Sequence, residues 1–224
     1  MKNKLRLLIR EAIKNISLKE DYPSGFDFNT LNSITSFKQR VDYCDSNLQK
    51  LKQGSARIVY SVDDEKVLKL AWNKKGIAQN ESEIDFSKEV NLEGVLARIT
   101  NYAEDFSWIE MELALKPKKS DFKRVIGFSF EDYSAALFNH AIDAGSIKNG
   151  MHKMNKEPIS SEVVENMWEE EFMQDMFDII GTYGIPVGDL LRISSYGIVK
   201  RDGKEFMVLV DYGLTEDVLN DFYR

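Results

Sequence analysis

Gln49-Lys-Leu-Lys-Gln-Gly-Ser-Ala-Arg-Ile-Val-Tyr-Ser-Val-Asp-Asp-Glu-Lys-Val-Leu-Lys-Leu-Ala71 decides the fold. It reads as strand, glycine turn, strand, Asp63-Asp64 turn, strand, with alternation in Arg57–Val62 and again in Lys66–Leu70. Working outward, residues 76–90 have helical period, and two further strands follow near 94–102 and 106–112. Residues 121–145 and 161–181 are helical by period. In the second of these Val164, Met167, Trp168, Phe172, Met176, Phe177 and Ile180 share a face. The tail returns to strands: Tyr196-Gly-Ile-Val-Lys, a tight Arg201-Asp202-Gly203-Lys204 turn, then Glu205-Phe-Met-Val-Leu-Val. A five-stranded first half followed by a helical second half with a late hairpin is an α+β protein in two lobes.

The 224 residues carry 30 Lys+Arg against 37 Asp+Glu, a net charge of −7, with 43% hydrophobic and 30% charged residues. These values exclude a disordered chain, a collagen-like repeat and a small disulfide scaffold. At this length folding buries roughly 70% of the unfolded surface, enough for a core without staples. The acidity argues against a protein that wraps duplex DNA. Cys44 is the single cysteine, so no intrachain disulfide forms and a reducing compartment fits. No run approaches ~18 apolar residues, so no membrane span is expected. The basic N-terminus is interrupted by Arg6, Arg10 and Glu11, which is unlike a secretory signal; the expected location is the cytoplasm.

Residues 1–20 form a segment of their own. Leu5, Leu8, Ile9, Ala12, Ile13 and Ile16 make one helical stripe over 3–16, flanked by Lys2, Lys4, Arg6, Arg10 and Lys14. The stripe reads as a docked amphipathic helix, then as a detachable address or docking peptide, and third as a membrane-surface helix, which the lack of an aromatic anchor weakens. Residues 21–47 read as a linker or cap, with Asp21, Pro23, Ser24, Gly25 and Asn29 giving 17–35 a linker texture. The lobes then divide at 48–115 and 116–224. The acidic face over 162–178 (Glu162, Glu165, Glu169, Glu170, Asp175) reads as a solvated helix surface or a second docking surface.

Four features stand in a fixed order. Gly54-Ser55 lies at a hairpin turn, where backbone N–H groups can approach phosphate. Lys69 sits in the middle of an apolar strand and needs a partner or ligand. Glu81 or Glu83, on the following helix, can supply that partner. Asp189 lies in Gly188-Asp189-Leu190-Leu191-Arg192, and Asp211 ends an apolar strand before Tyr212-Gly213, a place suited to holding a metal ion.

This order resembles the protein-kinase-like fold, and in its compactness the kinase-like proteins encoded by bacteriophages. The resemblance spans about 49–215. It implies that Lys69 touches the phosphates of Mg-ATP and pairs with Glu83 or Glu81, that Asp211 holds Mg²⁺, and that Asp189 occupies the catalytic-base position. It implies that the backbone of Met111-Glu112-Leu113-Ala114 receives adenine, which makes Glu112 and Ala114 cofactor contacts. The resemblance carries host cytoplasm or a virion as locations, and a phage or host protein as partner through the basic helix or the acidic face.

The chain also departs from that family. Its loop has a single glycine, the histidine-arginine-aspartate triplet reads Val187-Gly188-Asp189, and the metal-binding asparagine is replaced by Ser194 or Ser195. Eleven residues follow Gly213, leading to the expectation that no activation segment or peptide-seating helices are present. Two readings follow: a phosphotransferase, or a catalytically degenerate kinase fold serving as a binding or structural protein. Asp189 and Asp211 are expected to converge on one cleft and to repel unless a cation or a hydrogen-bond donor lies between them. Arg192 either stabilises phosphate charge or is a surface residue. His140 and His152 lack a third ligand at metal spacing and read as structural or exposed, and Cys44 reads as a small apolar filler.

Overall fold

The computed structural model describes residues 22–89, 92–146, 155–183 and 185–223. The amphipathic helix expected over 3–16 lies outside them, as does His152. The protein is α+β in two lobes, as the order of its motifs implies. The first is a five-stranded antiparallel sheet: β1 (Gln49–Gln53), β2 (Arg57–Ser61), β3 (Lys66–Ala71), β4 (Ile99–Tyr102) and β5 (Trp108–Glu112), in the order β1-β2-β3-β5-β4. Strand period two sorts its residues onto two faces. Ile58, Tyr60, Leu68, Leu70 and Trp108 point to the outer core, while Val67, Ile109 and Met111 point toward the second lobe. The register places Val59 opposite Lys69 and Lys69 opposite Ile109, so the lysine shares that inner face.

The outer face is covered by residues with a linker's texture. α1 (Phe28–Ser33) and α2 (Phe37–Asn47) form a cap in which Leu31 and Cys44 are fully buried. Asp27 caps α1 by accepting from the Thr30 N–H at 2.7 Å. Phe28 stacks on Trp108 with centroids 4.2 Å apart, and the Trp108 indole donates to Asn32 Oδ1 at 2.8 Å. Burial, with the neighbouring Asp45, pushes the Cys44 thiol up to about 12, so it packs as a small apolar side chain.

α3 (Lys74–Phe86) crosses the inner face. Asn73 caps it by accepting from the Gly76 N–H at 3.1 Å. A Cβ at Gly76 would stand 2.9 Å from the Ala71 side chain and closer still to the Ala56 carbonyl. Gly76→Ala should therefore lower the urea midpoint with an unchanged slope. Displacing that backbone costs about 1–3 kcal/mol, against at most about 1 kcal/mol from better helix propensity.

The second lobe contains α4 (Lys119–Ile126), α5 (Phe130–Asp143), α6 (Ser161–Trp168), α7 (Glu171–Thr182), α8 (Val187–Leu190), the hairpin β6 (Tyr196–Arg201) and β7 (Lys204–Leu209), and α9 (Glu216–Tyr223). The helix expected over 121–145 is two helices. Gly127 takes a left-handed φ of 84° and ends α4, and Ser129 then caps α5. The helix expected over 161–181 also divides, at Glu169–Glu170, which leaves Trp168 exposed while Met167, Met176, Phe177 and Ile180 are buried. The Arg201–Lys204 turn has positive φ at both Asp202 (50°) and Gly203 (78°), as a tight hairpin requires. Main-chain bonds between Leu115 and Ile198, and from Leu209 N–H to the Val95 carbonyl, join the hairpin to the first lobe. Among the described residues no helix is long and apolar enough to cross a membrane.

Candidate nucleotide site

Between the lobes lies a cleft of about 630 Å³. At its foot Lys69 Nζ donates to both carboxylate oxygens of Glu83, at 2.8 and 3.0 Å, and to the Val210 carbonyl. Glu83 has no exposed surface, whereas Glu81 is exposed. Two residues along an α-helix is a rotation of about 200°, so only one of the two can face β3. The alternative of Glu81 as partner is thereby corrected.

A second buried cation completes the cluster, and the sequence reading did not single it out. Arg57, on β2, has a guanidinium 7% exposed. It pairs with Glu83 at 2.9 Å and with Asp211 Oδ1 at 2.6 Å, and donates to Asn80 Oδ1 at 3.3 Å. The Tyr212 N–H donates to Glu83 at 3.3 Å. Gly213 then packs so closely on α3 that a Cβ would strike the Gln79 backbone. The chain turning out of β7 is thus held against α3 by backbone contact and charge together.

These charges set one another's protonation. Burial pulls the Lys69 ammonium down and Arg57 adds to this, while Glu83 and Asp211 oppose. Burial also works against charged Arg57, but Glu83 and Asp211 outweigh it and raise its pKa. At Asp211 burial acts upward, yet Arg57, Lys69 and Lys52 hold the carboxyl below its ordinary value. The Asp211 side chain keeps 53% of its surface open to the cleft. The repulsion expected between Asp189 and Asp211 is met by cations of the chain itself.

Asp189 enters from α8. Tyr196 donates to the Leu190 carbonyl at 2.7 Å and accepts from Tyr133 at 2.6 Å, pinning that turn to the second lobe's core. The Asp189 side chain is 20% exposed and pairs with Arg192 at 3.1 Å. Burial raises its carboxyl, Asp211 adds to the rise, and Arg192 opposes it. Arg192 itself is largely exposed on the cleft's rim.

Gly54, Ser55, Lys69, Glu112, Ala114, Asp189, Ser194, Ser195 and Asp211 all border the cleft, whereas Glu83 lies behind Lys69. Several also make bonds within the chain. The Gly54 N–H closes its own hairpin on the Arg57 carbonyl at 2.8 Å. The Glu112 side chain accepts from Arg201 and from the Arg98 N–H, bracing the lobes at the cleft's edge. Ser195 is buried and donates its hydroxyl to the Asp189 carbonyl at 2.8 Å, which ties the loop to the residue at the catalytic-base position. Ser194 is exposed at the cleft.

This donor set fits a divalent cation poorly, because its carboxylates are already faced by cations of the chain. One Asp211 oxygen is engaged by Arg57 and Asp189 faces Arg192, which leaves the second Asp211 oxygen and the serine hydroxyls as the uncompensated donors. Among the described residues no three His, Cys, Asp or Glu side chains group as metal ligands. Mg²⁺ at a phosphate site needs only one or two carboxylates beside waters and the phosphates themselves, so the test is whether Asp211 and Asp189 are free to serve, and both already face a cation of the chain.

No family model and no curated protein matches the chain. Among solved structures, the ternary complex of APH(2″)-IIa with streptomycin and ATP is similar over 80% of this chain and 71% of that one, at 10% identity and a TM-score of 0.34. The SAICAR synthase of Saccharomyces cerevisiae with SAICAR is similar over 76% and 74%, at 12% identity and a TM-score of 0.34. The gentamicin complex of APH(2″)-IIa is similar over 75% of this chain and 64% of that one, at 12% identity and a TM-score of 0.30.

Proposed function

We propose that the interlobe cleft binds a nucleoside triphosphate in the kinase manner and passes its terminal phosphoryl group to a hydroxyl acceptor. The observation that carries this is the buried Lys69–Glu83 pair at the foot of a cleft that Asp189 and Asp211 both border. The base lies against the Met111–Ala114 edge, and Lys69 and Arg57 stand where phosphate charge accumulates. Asp189 orients the acceptor: its oxygen bonds the terminal phosphorus, the bond to the bridging oxygen breaks, and the carboxylate takes the hydroxyl proton. Catalysis of this kind is positioning plus fixed charge.

A second reading, binding without transfer, is favoured by the Arg57–Asp211 pair, which occupies the carboxylate a kinase would use during turnover. Melting curves separate the outcomes. ATP at a hundred times its Kd should stabilise the wild type by about 2.7 kcal/mol. Lys69→Ala should abolish that shift yet fold, since Glu83 keeps Arg57 as its partner. Asp189→Asn should keep the shift and lose ADP release. Stabilisation of the wild type without ADP release selects the binding module. A flat melting response overturns both readings.

A further inference from the structure

We infer that the cleft takes its polyphosphate directly on Arg57, Lys69 and Lys52, without a divalent cation. This rests on the nucleotide reading and narrows it, because it specifies the ionic form of the ligand. Every carboxylate bordering the cleft is already matched by a cation of the chain: Asp211 by Arg57, Asp189 by Arg192 and Glu112 by Arg201. Glu83, behind them, is matched by both Lys69 and Arg57. The charge left over is positive. Lys52 and Lys116 border the cleft and form no ion pair among the described residues, and Lys52 stands near enough to act on the Asp211 carboxyl. Lys50, Lys88, Lys119 and Lys156, away from the cleft, each face an acid instead.

Arg57 also stands in a metal's place. A divalent ion on Asp211 would approach a buried guanidinium that cannot lose its proton, and two cations on one carboxylate repel. A phosphate instead gains from the same guanidinium, whose planar fork of donors suits phosphate oxygens. The burial that makes Arg57 costly while unmatched makes it a strong anion contact.

The test is calorimetric titration of the full chain with ATP and, separately, with inorganic tripolyphosphate, each in EDTA and in millimolar Mg²⁺. The expected result is an ATP affinity in EDTA within about threefold of that in Mg²⁺. Arg57→Gln should weaken binding in EDTA by about tenfold or more, and Mg²⁺ should restore part of it because Asp211 is then free. Should that variant fail to fold, Lys52→Ala, on the fully exposed strand β1, should still weaken binding in EDTA measurably. ATP binding at least about tenfold tighter in Mg²⁺ than in EDTA overturns the inference and leaves the nucleotide reading standing. Tripolyphosphate binding alike in both media, with no gain from the nucleoside, leaves the anion site and removes the nucleotide reading. Failure of both probes in both media removes both.

Discussion

Glu83→Ala should cost about 3–5 kcal/mol of folding stability, among the largest effects of any single substitution in this protein. The carboxylate is fully buried and is the common partner of Lys69, Arg57 and the Tyr212 N–H. Removing it leaves two buried cations with only the half-exposed Asp211 to face them. Lys69 can relieve the strain by losing its proton; Arg57 cannot. The Lys69 pKa is already lowered by burial, and loss of Glu83 lowers it further. The folded variant then binds fewer protons than the unfolded chain, so its stability rises with pH toward the ordinary lysine value of about 10.4. Urea unfolding at neutral and alkaline pH should show a deficit that narrows as pH rises. A deficit under about 1 kcal/mol, or one independent of pH, would mean the cluster is not coupled in this way. Glu83→Gln, which keeps the shape and an acceptor oxygen, should fall between the wild type and Glu83→Ala.

Leu31→Ala should cost about 2–5 kcal/mol, although the residue lies in a segment with the composition of a linker. Leu31 has no exposed surface and belongs to the outer core with Phe26, Tyr60, Leu68, Leu70 and Trp108. A sheet apolar on both faces must be covered on both. The cap is also tied down by polar contacts: Tyr22 donates to Glu110 at 3.1 Å, and Arg40 pairs with Asp105 at 2.7 Å. The measurement is the denaturant midpoint of Leu31→Ala beside Thr30→Ala at an exposed position of the same helix. Equal small losses in both would show that residues 22–47 are not part of the cooperative unit. A large loss confined to Leu31 would show that they are.

Much of this was legible in one dimension. The alternation through Arg57–Leu70 fixes which residues share a face, and the Asp202-Gly203 pair demands a hairpin with positive φ. Lys69 in an apolar strand signals a buried cation, and an acidic residue on the next helix is its natural partner. The same parity contained Arg57, two residues before Val59 and therefore on the inner face. A charged residue at the start of a strand beside a glycine turn looks like an exposed end, and only the pairing of β2 with β3 and the return of Asp211 from 154 residues away make it interior.

The cap shows the opposite case. Its turn-rich texture records exposure of half its surface, whereas the aromatic residues Tyr22, Phe26, Phe28 and Tyr43 matter because Trp108 and its neighbours lie beneath them. The broken helices follow from local punctuation that period alone passes over, at Gly127 and Ser129 and again at Glu169–Glu170.

The sequence by itself determined the local conformations, the parity of each strand and the order of the charged residues, because these depend on neighbours within a few positions. Only the tertiary structure decided which charges meet. The Arg57–Asp211 and Lys69–Glu83 pairs join β2, β3, α3 and the end of β7, and the energy of a charge depends on burial and on partners that no local window contains.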